Sequence, residues 1–203
     1  MTESDESDRH RAKMAKRKAV QDAEVAGKAI EQKGLLIVHT GPGKGKTTAA
    51  FGLALRALGR GFKIGVVQFI KGAWETGERF AFERFGEQVV WRTMGEGFTW
   101  STQDRARDVA AATAAWGVAQ EMMADPTIRL LVLDELNIAL RYDYLPLSEV
   151  VAVLRARRPE LHIVVTGRNA KPELIEAADL VVELAAVKHH FAAGVKAQLG
   201  IEF

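Results

Sequence analysis

The sequence predicts an α/β fold of the P-loop, RecA-like type, in which a mainly parallel sheet carries helices on both faces. From residue 34 onward, short apolar runs of strand length alternate with segments of helical apolar spacing. The first run, residues 35–38, leads into a glycine-rich string at residues 40–48, and a helical segment follows it. A later run, residues 129–133, ends in Asp134 and Glu135. A phosphate loop between strand and helix, with an acid ending another strand, is the layout of P-loop nucleotide-binding proteins.

Composition narrows the class of protein. The chain has 203 residues, 48% of them hydrophobic, which suits one α/β domain at residues 34–203 after a polar segment at residues 1–33. No run approaches the roughly 18 apolar residues of a membrane span, and the first residues are acidic and polar, unlike a signal peptide. We therefore expect a cytoplasmic protein with no membrane partner. A formal net charge of +2 gives no reason to expect a nucleic-acid partner.

The available residue types also limit the metal chemistry. The chain has no cysteine and only five scattered histidines, so disulfides, thiolate sites and a zinc centre are not expected. A bound metal ion should be held by oxygen ligands, which favours Mg²⁺ or Mn²⁺.

The segment at residues 1–33 is dense in charge. Its basic side chains cluster between Arg9 and Lys18, and a thin apolar stripe runs from Val20 to Ile30. Two interpretations stay open: a solvated tail, or a marginal helix that orders when it docks on a partner or ligand.

The glycine-rich string supplies the groups that bind a nucleoside triphosphate. Its glycines let backbone N–H groups turn toward an anion, and the following helix adds its positive N-terminal end. Lys46 supplies a positive charge, and the Thr47 hydroxyl can bind Mg²⁺. Thr40 stands where the general pattern has its first glycine. The predicted nucleotide-binding residues of the loop are Gly41, Pro42, Gly43, Lys44, Gly45, Lys46, Thr47 and Thr48.

Strands and helices then alternate. The helix after the loop should end near Gly59 or Gly61, and residues 63–69 should form the second strand. Strand, helix and strand in this order predict a parallel pair with a right-handed crossover, which places the next residues at the ligand-binding carboxyl edge of the sheet. The spacing predicts a short helix at residues 77–85, a third strand at 88–93 and a glycine-rich loop at 94–100.

A long alanine-rich helix follows this loop and runs to about Ala124. Ser101 or Thr102 is expected to cap it, with Asp104 in an early position that the helix dipole favours.

The acid-terminated strand comes next, and Asp134 at its end is the predicted Mg²⁺ ligand from the sheet. The alternative is that Asp134 and Glu135 only begin a turn. The remaining predicted elements are a loop at residues 142–146, a helix at 147–154, a strand with its exit loop at 161–168, a helix at 172–178, a strand at 180–184 and an irregular tail at 188–203.

Two enzyme classes fit these residues. In a RecA-like ATPase, Glu135 would orient the attacking water while Asp134 holds Mg²⁺. The glycine-rich loop favours another function, because Phe98 and Trp100 stand beside glycines at the ligand edge and could form a platform for a flat apolar ligand. On spacing alone, the same pair could belong to a core.

Several strings together resemble the ATP:corrinoid adenosyltransferases, the enzymes that make adenosylcobalamin. The phosphate loop alone is generic, but its combination with QFIKG and GFTW is highly specific. The similarity covers nearly the whole chain, and its strings are GLLIVHT at residues 34–40, VVQFIKG at 66–72, GFTW at 97–100, VLDEL at 132–136, YDYLPL at 142–147, TGR at 166–168 and AGVKAQ at 193–198.

The resemblance implies a cob(I)yrinic acid a,c-diamide or cob(I)alamin adenosyltransferase. Cobalt(I) of a reduced corrinoid, either cobalamin or a cobinamide-type compound, would attack the 5′-carbon of ATP and release triphosphate. ATP would lie reversed in the loop, with its ribose carbon facing the acceptor. The resemblance also implies a homodimer, an electron-donor protein such as a flavodoxin, and an N-terminal basic helix covering a site, often that of the neighbouring subunit.

For the nucleotide, the resemblance implies contacts with the phosphate loop. Lys46 and Mg²⁺ on Thr47 and Asp134 would stabilise the triphosphate as its charge develops. Pro42 stands where the family usually has asparagine, so contacts there should come from the backbone. Arg56 is a weaker candidate for a nucleotide contact.

For the corrinoid, the resemblance points to the aromatic pair. Phe98 and Trp100 would pack against the corrin face and exclude the lower axial ligand of cobalt. Glu135 would contact the corrinoid or the nucleotide. The predicted catalytic residues are therefore Lys46, Phe98, Trp100 and Glu135.

Overall fold

A computed structural model describes residues 3–29, 32–70, 76–94 and 104–202 of the chain. Contacts divide the chain into two compact units, Met1–Lys33 and Gly34–Phe203. No helix in the described ranges is long and apolar enough to cross a membrane.

The described part of the first unit forms helix α1, Glu3–Ala26. From residue 5 to residue 26 its side chains are exposed, apart from the half-buried Met14. Val20, in the predicted apolar stripe, is 54% exposed. A helix that buries so little apolar surface gains little stability from packing. Both interpretations, a solvated tail and a marginal helix that docks on a partner or ligand, stay predictions.

The described part of the second unit contains a six-stranded sheet. Its strands are β1 (Leu36–Thr40), β2 (Lys63–Gln68), β3 (Val89–Thr93), β4 (Ile128–Asp134), β5 (His162–Thr166) and β6 (Leu180–Glu183). Their order is β3-β2-β4-β5-β1-β6, and every neighbouring pair is parallel. The predicted parallel sheet is confirmed.

Helices cover both faces of this sheet, as predicted. One face carries α2 (Lys46–Leu58) and α3 (Gly77–Glu83), and the other carries α4 (Arg105–Ala124), α5 (Leu136–Arg141), α6 (Leu147–Arg155) and α7 (Pro172–Ala177). Successive residues of the buried strands point to opposite faces. On β4, Leu131 and Leu133 pack with α4, whereas Leu130 and Val132 pack with α2.

The first two strands are parallel but do not pair with each other. β4 and β5 lie between β1 and β2, and α2 packs against all four strands. The order strand, helix, strand sets the direction of the strands, whereas their separation depends on how many strands the connecting helix crosses. The expected pair of neighbouring strands is therefore wrong, although the parallel direction is right.

The long helix α4 also begins later than predicted. Asp104 is its N-cap, because its backbone is extended and its Oδ1 accepts hydrogen bonds from the N–H groups of Ala106 and Arg107 at 3.0 and 3.2 Å. An aspartate caps a helix as well as a serine does. The expectation that Ser101 or Thr102 caps this helix is wrong.

Candidate active site

The phosphate loop joins the end of β1 to the start of α2 and rests on the residues that follow β6. Gly41 and Gly45 have φ angles of +94° and +100°, the left-handed region that favours glycine. The Gly43 N–H donates to the Leu184 carbonyl at 2.7 Å, and a Cβ on Gly43 would lie 2.6 Å from the carbonyl oxygen of Ala185. Backbone angle and close backbone approach therefore explain why this loop is rich in glycine.

Lys46 begins α2 and is only 7% exposed. Its Nζ donates to the carbonyl oxygen of Gly41 at 3.0 Å and also to that of Gly43. Burial lowers the pKa of Lys46, and the carboxylate of Glu135 opposes that shift. The ammonium group thus bonds to oxygens of its own loop, in a motif whose lysine contacts phosphate oxygens.

The carboxylate of Asp134 lies at the end of β4 and is fully buried. Its Oδ1 accepts hydrogen bonds from the hydroxyls of Thr47 and Thr166, each at 2.8 Å. Its Oδ2 accepts a hydrogen bond from Nε2 of Gln68 at 3.0 Å. The fold therefore brings together Thr47 and Asp134, the two residues that the sequence suggested as metal ligands.

Glu135 leaves the strand with an unusual backbone. Its φ is 64°, and its N–H donates to the Thr166 hydroxyl at 3.0 Å. A left-handed backbone at a residue other than glycine costs on the order of 1 kcal/mol, and such strain often marks functional sites. This turn starts α5, a helix that the sequence did not predict.

A cavity of about 430 Å³ opens over the loop. Residues 43–48 line it, together with Glu135 and Arg168. Asp134 does not line the cavity itself, but its partner Thr47 does. Most of the predicted loop residues and Glu135 therefore surround one space large enough for a ligand.

Other predicted residues are not placed at this cavity. Gly41 and Pro42 are not among its lining residues. Arg56 is exposed in the last turn of α2, roughly 15 Å along the helix axis from Lys46 at 1.5 Å per residue. Phe98 and Trp100 lie outside the described residues, so their place stays a prediction.

The cavity also has lining residues that sequence reasoning did not select. Arg168 follows β5, and its charge helps to lower the pKa of Lys46. Tyr142 is 43% exposed, and the Arg141 guanidinium carbon lies 5.4 Å from the centre of its ring. An arginine placed directly after a predicted strand, at the carboxyl edge, was a signal that could have identified Arg168.

The C-terminal tail reaches the phosphate loop. Nζ of Lys44 lies 2.6 Å from Oε2 of Glu202, and Nε2 of His190 lies 2.8 Å from the other carboxylate oxygen. Hydrogen bonding to Lys44 lowers the pKa of Glu202. Ile201 and Glu202 also line the cavity. No local sequence pattern pointed to this contact.

Comparison with known families decides the class of the protein. The family model described as ATP:corrinoid adenosyltransferase BtuR/CobO/CobP matches residues 32–203. The chain belongs to this family. A second model, described as Cob(I)alamin adenosyltransferase N terminal, matches residues 1–25.

Individual corrinoid adenosyltransferases are similar over nearly the whole chain. The Pseudomonas aeruginosa enzyme is 57% identical over 204 residues, which is 100% of both chains. The Sinorhizobium enzyme is 54% identical over 96% of this chain and 92% of its own. Corrinoid adenosyltransferase CobA of Salmonella typhimurium is 50% identical over 97% of this chain and 98% of its own.

Among solved structures, the flagellar accessory protein FlaH from Methanocaldococcus jannaschii superposes with a TM-score of 0.48 at 10% identity. The superposition covers 77% of this chain and 73% of that chain.

Membership of the corrinoid adenosyltransferases makes the protein an alkyl-group transferase whose substrates are ATP and a corrinoid. The RecA-like ATPase, the other class that the residues allowed, is not favoured. The resemblance to the family is confirmed.

Proposed function

We propose that the cavity holds ATP with its triphosphate on the phosphate loop and its 5′-carbon facing a corrinoid. The 5′-deoxyadenosyl group then passes to cobalt(I), in the synthesis or salvage of adenosylcobalamin. One observation carries this proposal: in a chain of this family, Lys46, Thr47, Glu135 and Arg168 converge on a single cavity.

The proposed reaction is a substitution at carbon. The electron pair of cobalt(I) forms the cobalt–carbon bond while the bond from the 5′-carbon to the α-phosphate oxygen breaks. Triphosphate leaves with that bonding pair, and cobalt becomes formally cobalt(III). Because cobalt(I) carries no proton, the site needs no general base.

Stabilisation of the leaving triphosphate is the contribution we assign to the loop. Lys46 would exchange its bonds to the Gly41 and Gly43 carbonyls for bonds to phosphate oxygens. Arg168 presents a further positive charge to the same cavity. Cations that are in place before charge develops lower the barrier more than groups that must reorganise.

Thr47 and Asp134 would hold Mg²⁺ or Mn²⁺. A hydroxyl and a carboxylate oxygen lie 2.8 Å apart beside the loop, and hard divalent cations prefer such oxygen ligands. When bound, the ion would offset part of the triphosphate charge.

We assign the corrinoid contact to Phe98 and Trp100, on the resemblance of their GFTW string to the family. Removing the lower axial ligand makes cobalt(II) easier to reduce, because the orbital that accepts the electron falls in energy.

We expect Phe98→Ala and Trp100→Ala to impair adenosylation most when cobalt(II) cobalamin is reduced by a mild flavodoxin-type donor. Chemically prepared cobalt(I) should restore much of the rate, with ATP affinity nearly unchanged. If both variants form four-coordinate cobalt(II) as fully as the unmodified protein, the aromatic pair has another role.

We further propose a homodimer. Edge strand β6 exposes Leu180, Val181 and Val182, and the tail exposes Phe191. An exposed apolar edge is usually covered in the native state, and a second copy is the occupant that we propose. Light scattering should show a dimer, and Val182→Lys should shift it toward monomer. A monomer in the unmodified protein would refute this assembly.

We propose that the segment at residues 1–33 acts as a lid. Residues 1–25 match the family's N-terminal model, and α1 buries too little surface to be a core element. Deleting it should leave a folded domain with poor transfer activity; a truncated protein that unfolds or works normally would refute the lid.

We also propose a cytoplasmic location, because the substrate ATP and reducing donors are present there. Cell fractionation with an antibody to the native protein would test this.

The central experiment identifies the phosphate product of ATP with and without reduced corrinoid. We expect triphosphate only when corrinoid is present, in amounts equal to the cobalt–carbon bond formed. Lys46→Ala serves as the control for contaminating enzymes. ADP and phosphate without corrinoid would support the ATPase instead, and no turnover in either mixture would indicate a non-catalytic protein that carries a corrinoid or a nucleotide.

A further inference from the structure

Gln68 is a buried polar residue next to the site that the reaction above does not use. It ends β2, is 3% exposed, and donates from Nε2 to Oδ2 of Asp134 at 3.0 Å. A buried amide of this kind is expected to satisfy both of its ends, since an unpaired end costs about 1–3 kcal/mol.

The other end of the Gln68 amide is fixed from the neighbouring strand. Its Oε1 accepts hydrogen bonds from the indole Nε1–H of Trp91 at 3.2 Å and from the hydroxyl of Thr93 at 3.0 Å. The indole N–H also lies 3.2 Å from the Thr93 hydroxyl oxygen, so it is shared between two acceptors. An ionised carboxylate can only accept, so the end of the Gln68 amide that faces Asp134 is the NH₂ group and the end that faces the indole is the oxygen. The NH₂ group of Gln68 therefore has to face Asp134, and the orientation of the amide is determined.

We propose that Gln68 is a positioning residue for Asp134, and that Trp91 and Thr93 set its orientation. The bond to Oδ2 limits rotation of the carboxylate and keeps Oδ1 beside the hydroxyl of Thr47 on the phosphate loop. This inference rests on the proposed role of Asp134 in metal–ATP binding. It gives Gln68, the first residue of the QFIKG string, a role at the site. That string otherwise supports only the resemblance to the family.

The alternative is a purely structural role, in which Gln68 merely fills the interior of the sheet. The two roles differ in what a substitution changes. A structural residue affects stability, and through it every property of the protein together. A residue that orients Asp134 affects the metal-dependent part of nucleotide binding and leaves the metal-free part nearly alone.

The test measures ATP binding to the full chain by calorimetry, in Mg²⁺ and in EDTA, without corrinoid. For Gln68→Leu and Gln68→Glu we expect the affinity gained from Mg²⁺ to fall by roughly tenfold, as is typical for groups that orient metal ligands. Affinity in EDTA should change less than about twofold. Trp91→Phe removes the indole donor together with part of the ring that packs on Phe51 and Phe82. It should reduce the Mg²⁺ effect by a smaller factor, and it carries the test if both Gln68 variants fail to fold.

Two matched variants make the outcome decisive. Val66→Ala removes buried apolar volume from the same strand without touching the carboxylate, so it should lower stability while the Mg²⁺ effect stays intact. Asp134→Asn tests the proposed function itself, and it should abolish the Mg²⁺ effect. If Asp134→Asn leaves that effect unchanged, the assignment of Asp134 fails. If Asp134→Asn abolishes it but the variants of Gln68 and Trp91 behave like Val66→Ala, Gln68 has only a structural role.

Discussion

The two halves of the candidate site are prepared for a ligand in different ways. In the acidic half, the Asp134 carboxylate accepts hydrogen bonds from neutral donors on Thr47, Gln68 and Thr166. In the cationic half, Lys46 donates to carbonyl oxygens of its own loop and Lys44 pairs with Glu202. The acid is therefore held in place, whereas the cations bond to oxygens that a phosphate would have to replace.

This difference indicates how much the acidic half and each cation contribute to the free energy of ligand binding. A carboxylate that is already oriented needs no rearrangement to meet a cation, which is the arrangement that lowers the cost of binding. A lysine that exchanges one oxygen partner for another gains only the difference between the two bonds. That difference is large for Lys46, which exchanges neutral carbonyls for a charged phosphate, and small for Lys44, which already meets a carboxylate.

The comparison can be tested first at Lys46. We expect Lys46→Ala to lower adenosylation by about 10² or more at saturating ATP, the usual effect of losing one electrostatic contact to a charge that develops in the transition state. Steady-state rates with chemically prepared cobalt(I) would measure it. Lys171→Ala is the matched control, because Lys171 pairs with Asp143, neither residue lines the cavity, and the variant should keep normal activity. Near-normal transfer by Lys46→Ala would remove the loop lysine from the mechanism.

A smaller effect is expected at the tail. Glu202→Gln removes the carboxylate that competes with phosphate for Lys44, so ATP affinity should rise by up to about fivefold, the range of a partly exposed ion pair. Equilibrium binding would measure the change. As a control, Glu83→Gln breaks an exposed ion pair with Arg79 on α3 and should leave ATP affinity unchanged. A loss of affinity in Glu202→Gln would instead show that the tail holds Lys44 in its binding position.

The smallest expected effect is a proton linkage at Lys46. Burial lowers the pKa of the free ammonium group, and a bound triphosphate favours its charged form, so the pKa should rise on binding. ATP affinity should therefore fall as the pH rises through the lowered pKa, and binding in that window should take up protons. Calorimetry in buffers of different ionisation enthalpy, with Lys46→Met as reference, would detect this uptake. Equal proton uptake in both proteins would assign the linkage to another group.

Much of the fold was predictable because its signals are local. β1, β4 and β5 are covered on both faces, so each contains a run of three or four consecutive apolar residues. The order of the strands was not predictable in this way, since it depends on how far α2 crosses the sheet. Helix α5 has only six residues, too few for helical spacing to stand out. Ser101, Thr102 and Asp104 are all good caps, and only the backbone of the folded chain selects Asp104.

The candidate site shows the same difference between local sequence signals and contacts that only the folded chain creates. Lys46 and Thr47 were predicted from a motif whose residues are adjacent in sequence. Asp134 was predicted from its place at the end of a strand. The remaining contacts join residues that are far apart in sequence, as in Gln68 with Asp134 or Lys44 with Glu202. Such contacts appear only once the carboxyl edge of the sheet and the tail are assembled.

The hydrogen bonds between the phosphate loop and Leu184 have a consequence for the synthesis of the protein chain. Gly43 donates to the Leu184 carbonyl, and the Leu184 N–H donates to the carbonyl of Thr40 at 2.9 Å, so the loop takes its shape against a residue near the other end of the chain. Protein chains emerge from the ribosome N-terminus first. Leu184 is therefore synthesised about 140 residues after the loop that it supports. A nascent chain therefore contains the complete nucleotide motif before its support is made, and we expect ATP to stabilise the fold at this loop only after synthesis has passed Leu184.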